Sequence, residues 1–109
     1  MPPPSQLAIA TSSLNRLVKE EASYHKELEQ QQASIAKLEQ GGGDENAEYT
    51  LRQERRAVEE TKAIFPQLKL KIEDALSKLE QQLEQESQGD AENVAKAKEA
   101  VAAGKKALG

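Results

Sequence analysis

Apolar residues in the first forty positions fall on a seven-residue grid. One row reads Leu7, Leu14, Glu21, Leu28, Ile35 and the other Ala10, Leu17, Tyr24, Gln31, Leu38, and eight of these ten positions are apolar. Alternating steps of three and four residues put both rows on one helical stripe, the a and d seam of a coiled coil. Pro2 to Pro4 are unsuited to a helix interior, and Ser5 directly after them suits an N-cap. Gly41-Gly42-Gly43 ends the pattern, because residues without side chains favour turn conformations and pack nothing. A first helix is predicted over 6–40.

A second helix is predicted over 46–86, with Asp44 or Asn46 as its cap and Glu45 and Glu48 near its positive end. Its main row is Leu51, Val58, Phe65, Ile72, Leu79, Glu86. Leu68, Ala75, Leu76 and Leu83 widen the apolar face in the C-terminal half alone, which calls for more than one neighbour there. Pro66 lies inside the pattern. It lacks an amide donor and crowds the Lys62 carbonyl, so a kink is expected and not a break. Ser87-Gln88-Gly89 closes this helix, and Asp90 caps a third over 91–107. There Val94, Ala97, Val101 and Leu108 form a thin stripe, Gly104 weakens the helix further, and the C-terminal residues are expected to fray.

Short connections make sequential helices antiparallel. The chain therefore reads as one all-α domain over 1–109, an antiparallel three-helix bundle with coiled-coil-like packing. Counting back from the first turn sets Leu28 near Val58 and Glu21 beside Phe65, while the third helix runs out near Pro66. A three-helix end and a two-helix end should thus meet near Glu21 and Pro66. Tyr24, Leu28, Val58, Phe65 and Pro66 are structural in this scheme. Gln31, Glu54 and Thr61 would form a polar layer at the two-helix end, Gln31 facing Glu54.

Composition narrows the function. Charged residues make up 31% of the chain at a net charge of -4, with both signs interspersed, so a phosphate backbone finds no basic stripe and nucleic acid is not an expected partner. No apolar run approaches the roughly 18 residues of a membrane span. The MPPPSQLAIA start lacks the basic and long apolar regions of a signal peptide, so the expected location is the cytoplasm. Cysteine is absent, which excludes disulfides and thiolate metal sites. His25 is the sole histidine and flanks the seam, so no metal ligand set is evident. Glu20-Glu21 and Glu59-Glu60 are adjacent carboxylates that point about 100° apart on a helix, which is no acid–base pair. The Gly41–Gly43 turn lacks the strand and Lys of a phosphate-binding loop. The chain reads as a binding module and not an enzyme, with no cofactor and no metal.

Particular residues go further. Arg16-Leu17-Val18-Lys19-Glu20, then Tyr24, Lys26-Glu27 and Gln32, resemble the first helix of the tubulin-binding cofactor A family. The second helix adds Tyr49, Arg52-Gln53-Glu54, and Glu60-Thr61-Lys62-Ala63-Ile64-Phe65-Pro66, in which an apolar residue and Pro follow an acidic–hydroxyl pair as in that family. The resemblance covers roughly Leu7 to Leu83; the triple-glycine turn departs from it.

The resemblance implies a cytoplasmic, cytoskeleton-associated cofactor that acts after the chaperonin. Such a protein holds β-tubulin folding intermediates and supplies them, with other tubulin-folding cofactors, for αβ-heterodimer assembly, without nucleotide. Arg16, Lys19, Glu20, Lys26 and Glu27 match the family pattern yet lie mainly off the seam, which makes them candidate contacts; the alternative is that they are solvating charges or local ion pairs. Tyr49 is a further candidate, for which packing over the turn and partner contact are both open. A rival of another class is a structural coiled-coil protein that self-associates, as a homodimer, through its two-helix tip.

Overall fold

The computed structural model describes residues 5–41, 45–86 and 89–109. Three helices follow one another, α1 (Gln6–Gln40), α2 (Ala47–Gln85) and α3 (Ala91–Leu108), and no strand occurs among the described residues. The heptad-derived bounds of 6–40, 46–86 and 91–107 differ from these by at most one residue at any end. The cap suggested at Asp44, the glycines after Gly41, the prolines before Ser5 and the Ser87-Gln88 pair lie outside the described residues.

At the starts of α1 and α3 a side-chain oxygen takes one of the first unpaired amides. Ser5 Oγ accepts from the Ala8 amide at 3.0 Å and the Ser5 carbonyl from Ile9 at 3.0 Å, which makes Ser5 the N-cap of α1. The Asn46 carbonyl accepts from Thr50 to begin α2. At α3, Asp90 Oδ1 takes the Glu92 amide at 3.0 Å. The far end of α3 does not fray: it stays helical to Leu108, and Gly109, at φ +92°, donates its amide to the Lys106 carbonyl at 3.2 Å. Lys105 and Lys106 sit in that last turn, where cations complement the exposed carbonyls.

Two compact units emerge, Met1–Glu21 with Leu68–Gly109, and Ala22–Gln67. The first holds three helical segments around Leu7, Leu14, Ile72, Leu76, Leu79, Ala97 and Ala100, with Leu17, Val18, Leu83 and Val101 packed against them. Leu14, Ile72 and Leu79 are fully buried. The widened face of α2 is used here, Leu68 and Leu76 joining the main row in the interior. Thr11 is also buried between Leu7 and Leu14; its hydroxyl donates to the Leu7 carbonyl at 2.8 Å, which removes the cost of placing it there.

The expected stripe of α3 faces the core, with Ala97 in the interior and Val94, Val101 and Leu108 half-buried against it, and Ala100 and Gly104 join it as buried positions. Small residues at the centre let the α3 backbone approach closely, with the larger side chains filling the flanks. Gly104 packs at that contact: a Cβ there would stand a tight 3.2 and 3.3 Å from the two Leu14 methyls and 3.5 Å from Leu76.

The second unit is an α1–α2 hairpin with a leaner interior. Val58 and Thr61 are its buried residues, whereas Tyr24, Leu28, Ile35, Leu38, Leu51 and Phe65 are half-buried. The His25 ring stacks on Phe65 with centroids 4.4 Å apart and planes at 27°. Arg55 bridges to Glu39 at 3.2 Å. The His25 partner of Phe65 lies one helical turn along α1 from Glu21. Gln31 and Glu54 are both half-buried, but no bond joins them in a polar layer: Gln31 Oε1 is buried without a hydrogen-bond partner among the described residues. Pro66 is exposed and lies within α2, which continues unbroken to Gln85.

Candidate protein-binding surface

Arg16, Lys19 and Glu20 occupy steps of three and four on α1 in the first unit, and all three are exposed. Arg16 and Glu20 have the spacing of a local ion pair, yet neither they nor Lys19 make one among the described residues. Lys26 and Glu27, in the hairpin unit, are likewise exposed and unpaired. Local pairs form elsewhere, at Lys62–Glu59, Lys78–Asp74 and Lys96–Glu92. Lys105–Glu80 and Arg55–Glu39 tie separate helices. The five candidate charges on α1 therefore keep their full hydrogen-bonding capacity for solvent or a partner.

Tyr49 is 57% exposed, so its ring is not committed to packing over the turn. Its hydroxyl accepts a hydrogen bond from Gln53 Nε2 at 3.0 Å. Tyr49, Arg52, Gln53 and Arg56 line one shallow depression on α2, and neither arginine has an ionic partner among the described residues. Sequence reasoning selected Tyr49 and noted Arg52 and Gln53 only as part of the family resemblance, without naming Arg52 or Arg56 as a candidate contact. The signal was available in the 49, 52, 53, 56 spacing, which is one face of a helix. Tyr24 and Phe65, half-buried on the seam, serve the hairpin interior together with Leu28 and Val58.

No group of His, Cys, Asp and Glu that could hold a metal occurs among the described residues. No helix of the structure is long and apolar enough to cross a membrane, again among the described residues. What the exposed residues offer is many separated donors and acceptors on rigid helices, which suits contact with another macromolecule. The sequence matches the model of the family described as Tubulin binding cofactor A over residues 2–101. The chain belongs to that family. It is 38% identical over 79 residues to the tubulin-specific chaperone A of Saccharomyces cerevisiae, covering 72% of each protein. It is 33% identical over 95 residues to tubulin-specific chaperone A of Mus musculus, covering 87% of this chain and 83% of the relative. The crystal structure of tubulin folding cofactor A from Arabidopsis thaliana superposes with a TM-score of 0.80 at 31% identity, covering 92% of both chains. The helix order and the three-helix unit around Leu14 and Ile72 are thus those of a cofactor A fold.

Proposed function

We propose that this protein is a tubulin-folding cofactor that captures β-tubulin folding intermediates after the chaperonin and supplies them for αβ-heterodimer assembly, in the cytoplasm and in association with the cytoskeleton. The observation that carries the proposal is membership of the cofactor A family across residues 2–101. The relatives' names specify tubulin. The exposed, unpaired Arg16, Lys19 and Glu20, and Lys26, Glu27 and Tyr49, support binding through distributed polar contacts. Such contacts need no nucleotide and no catalytic group; other tubulin-folding cofactors would receive the cargo.

The test is co-migration with dissociated β-tubulin on native gels, with nucleotide present and absent. Wild type should shift β-tubulin in both conditions. Reversing Arg16 and Lys19 together to Glu should weaken the complex while circular dichroism stays that of wild type, because both side chains are exposed. Absence of a wild-type complex at micromolar protein would overturn the cofactor proposal. An intact complex with both reversals would overturn only the role given to these two residues.

A further inference from the structure

Arg52 and Arg56 are four residues apart on α2, about 6 Å along the helix axis, so their guanidinium groups emerge one above the other. Tyr49 precedes Arg52 by three residues on the same face, and all three share the shallow depression with Gln53. The Gln53 amide donates to the Tyr49 hydroxyl oxygen at 3.0 Å, which leaves the phenolic proton to be donated outward. The depression therefore presents two guanidinium forks and one phenolic O–H, all donors, beside an aromatic ring. Arg55, the neighbouring cation, is engaged with Glu39 and takes no part. Glu48 and Glu60 bracket the face in sequence and limit it to two turns.

From these observations we infer that the Tyr49–Arg52–Gln53–Arg56 face is a docking site for an acidic, extended peptide segment of a protein partner. Alternate residues of an extended chain lie on one side about 6.8 Å apart, so carboxylates two positions apart each meet one guanidinium. Arg binds carboxylate through two parallel N–H···O bonds, which gives geometric selection as well as charge attraction. The Tyr49 hydroxyl donates to a third acceptor, and its ring covers the segment's backbone or an apolar neighbour. A phosphate backbone is the weaker fit. The chain carries a net charge of -4, and a face two turns long neutralises few phosphates. This inference deepens the role given to Tyr49 above by naming the chemistry of its partner, and its test does not use tubulin.

The probe is a fluorescein-labelled, glutamate-rich peptide of about twelve residues, titrated at low salt and followed by fluorescence anisotropy. Wild type should bind it, and Arg52→Glu with Arg56→Glu should weaken binding roughly fivefold or more, as expected for two exposed ion pairs turned repulsive. Arg52→Gln with Arg56→Gln should weaken it less while retaining wild-type helicity, which keeps the result interpretable if the reversal variant unfolds. Lys98→Glu with Lys106→Glu changes net charge equally on α3 and should leave binding within about twofold. No binding by wild type overturns the inference and leaves tubulin capture untouched. Equal loss in the α3 variant overturns it as well, since the attraction would then be net charge alone. Tighter binding of a single-stranded oligonucleotide of matched charge overturns the choice of peptide. A selective loss with the Arg52 and Arg56 variants supports it, whatever the outcome with tubulin.

Discussion

Leu14 and Gly104 face each other across the α1–α3 contact, and the two residues should respond to mutation in ways their types alone would not indicate. Leu14 is fully buried in the three-helix unit, so Leu14→Ala should cost about 3–4 kcal/mol. Gly104→Ala normally gains helix propensity of about 1 kcal/mol. Here the new methyl meets both Leu14 methyls at 3.2 and 3.3 Å, so the Leu14 side chain, itself fully enclosed, must give by a few tenths of an ångström. Overpacking should therefore outweigh propensity and leave a net loss of about 1 kcal/mol in urea denaturation; a gain would show that α3 shifts freely. In the hairpin, Val58→Ala should cost about 1–2 kcal/mol and half-buried Leu28→Ala no more than that, because the lost area at Leu28 is already partly wet. Gln31→Leu should raise stability by about 1 kcal/mol, since Oε1 is buried without a partner and removing it relieves that desolvation. The candidate surface charges were legible in the sequence as residue types at off-seam positions. That Arg16 and Glu20 do not pair was not, because spacing permits a local pair without requiring it.

Helices α1 and α2 were readable because a seven-residue repeat sustained over five turns or more has no counterpart in a strand. The starts of α1 and α3 were readable because Ser5 and Asp90 are strong caps next to helix-incompatible neighbours. Asp90→Ala should cost about 1 kcal/mol and lower the melting temperature, with loss of ellipticity concentrated in α3. Pro66 behaves differently. It denies the Lys62 carbonyl an amide donor in the middle of an unbroken helix, so Pro66→Ala should restore that bond and raise stability by about 1–2 kcal/mol. An unchanged or lower midpoint would mean that the residues around Pro66 are packed for the proline. The α3 stripe was legible at Ala97, Val94, Val101 and Leu108, which all face the core, whereas Ala100 and Gly104 were not, because residues that bury so little area give no apolar signal. In a close-packed crossing the interior goes to the smallest side chains, here Ala97, Ala100 and Gly104, and the valines flank it.

At the scale of the whole molecule, the charged residues and not the core carry the proposed activity. Net charge is only -4 because 15 basic and 19 acidic residues largely offset each other, so attraction to a partner depends on local unpaired groups. Exposed charges are screened over about 8 Å at physiological ionic strength, so tubulin capture should weaken as salt rises. The central claim is that this chain binds β-tubulin and does not work by self-association. Sedimentation velocity of the labelled protein, alone and with dissociated β-tubulin, addresses both halves in one measurement. A new, faster-sedimenting species should appear only with β-tubulin, persist without nucleotide and diminish with added salt. A faster species formed by the protein alone at micromolar concentration, unchanged by β-tubulin, would contradict that claim and favour a self-associating coiled-coil scaffold.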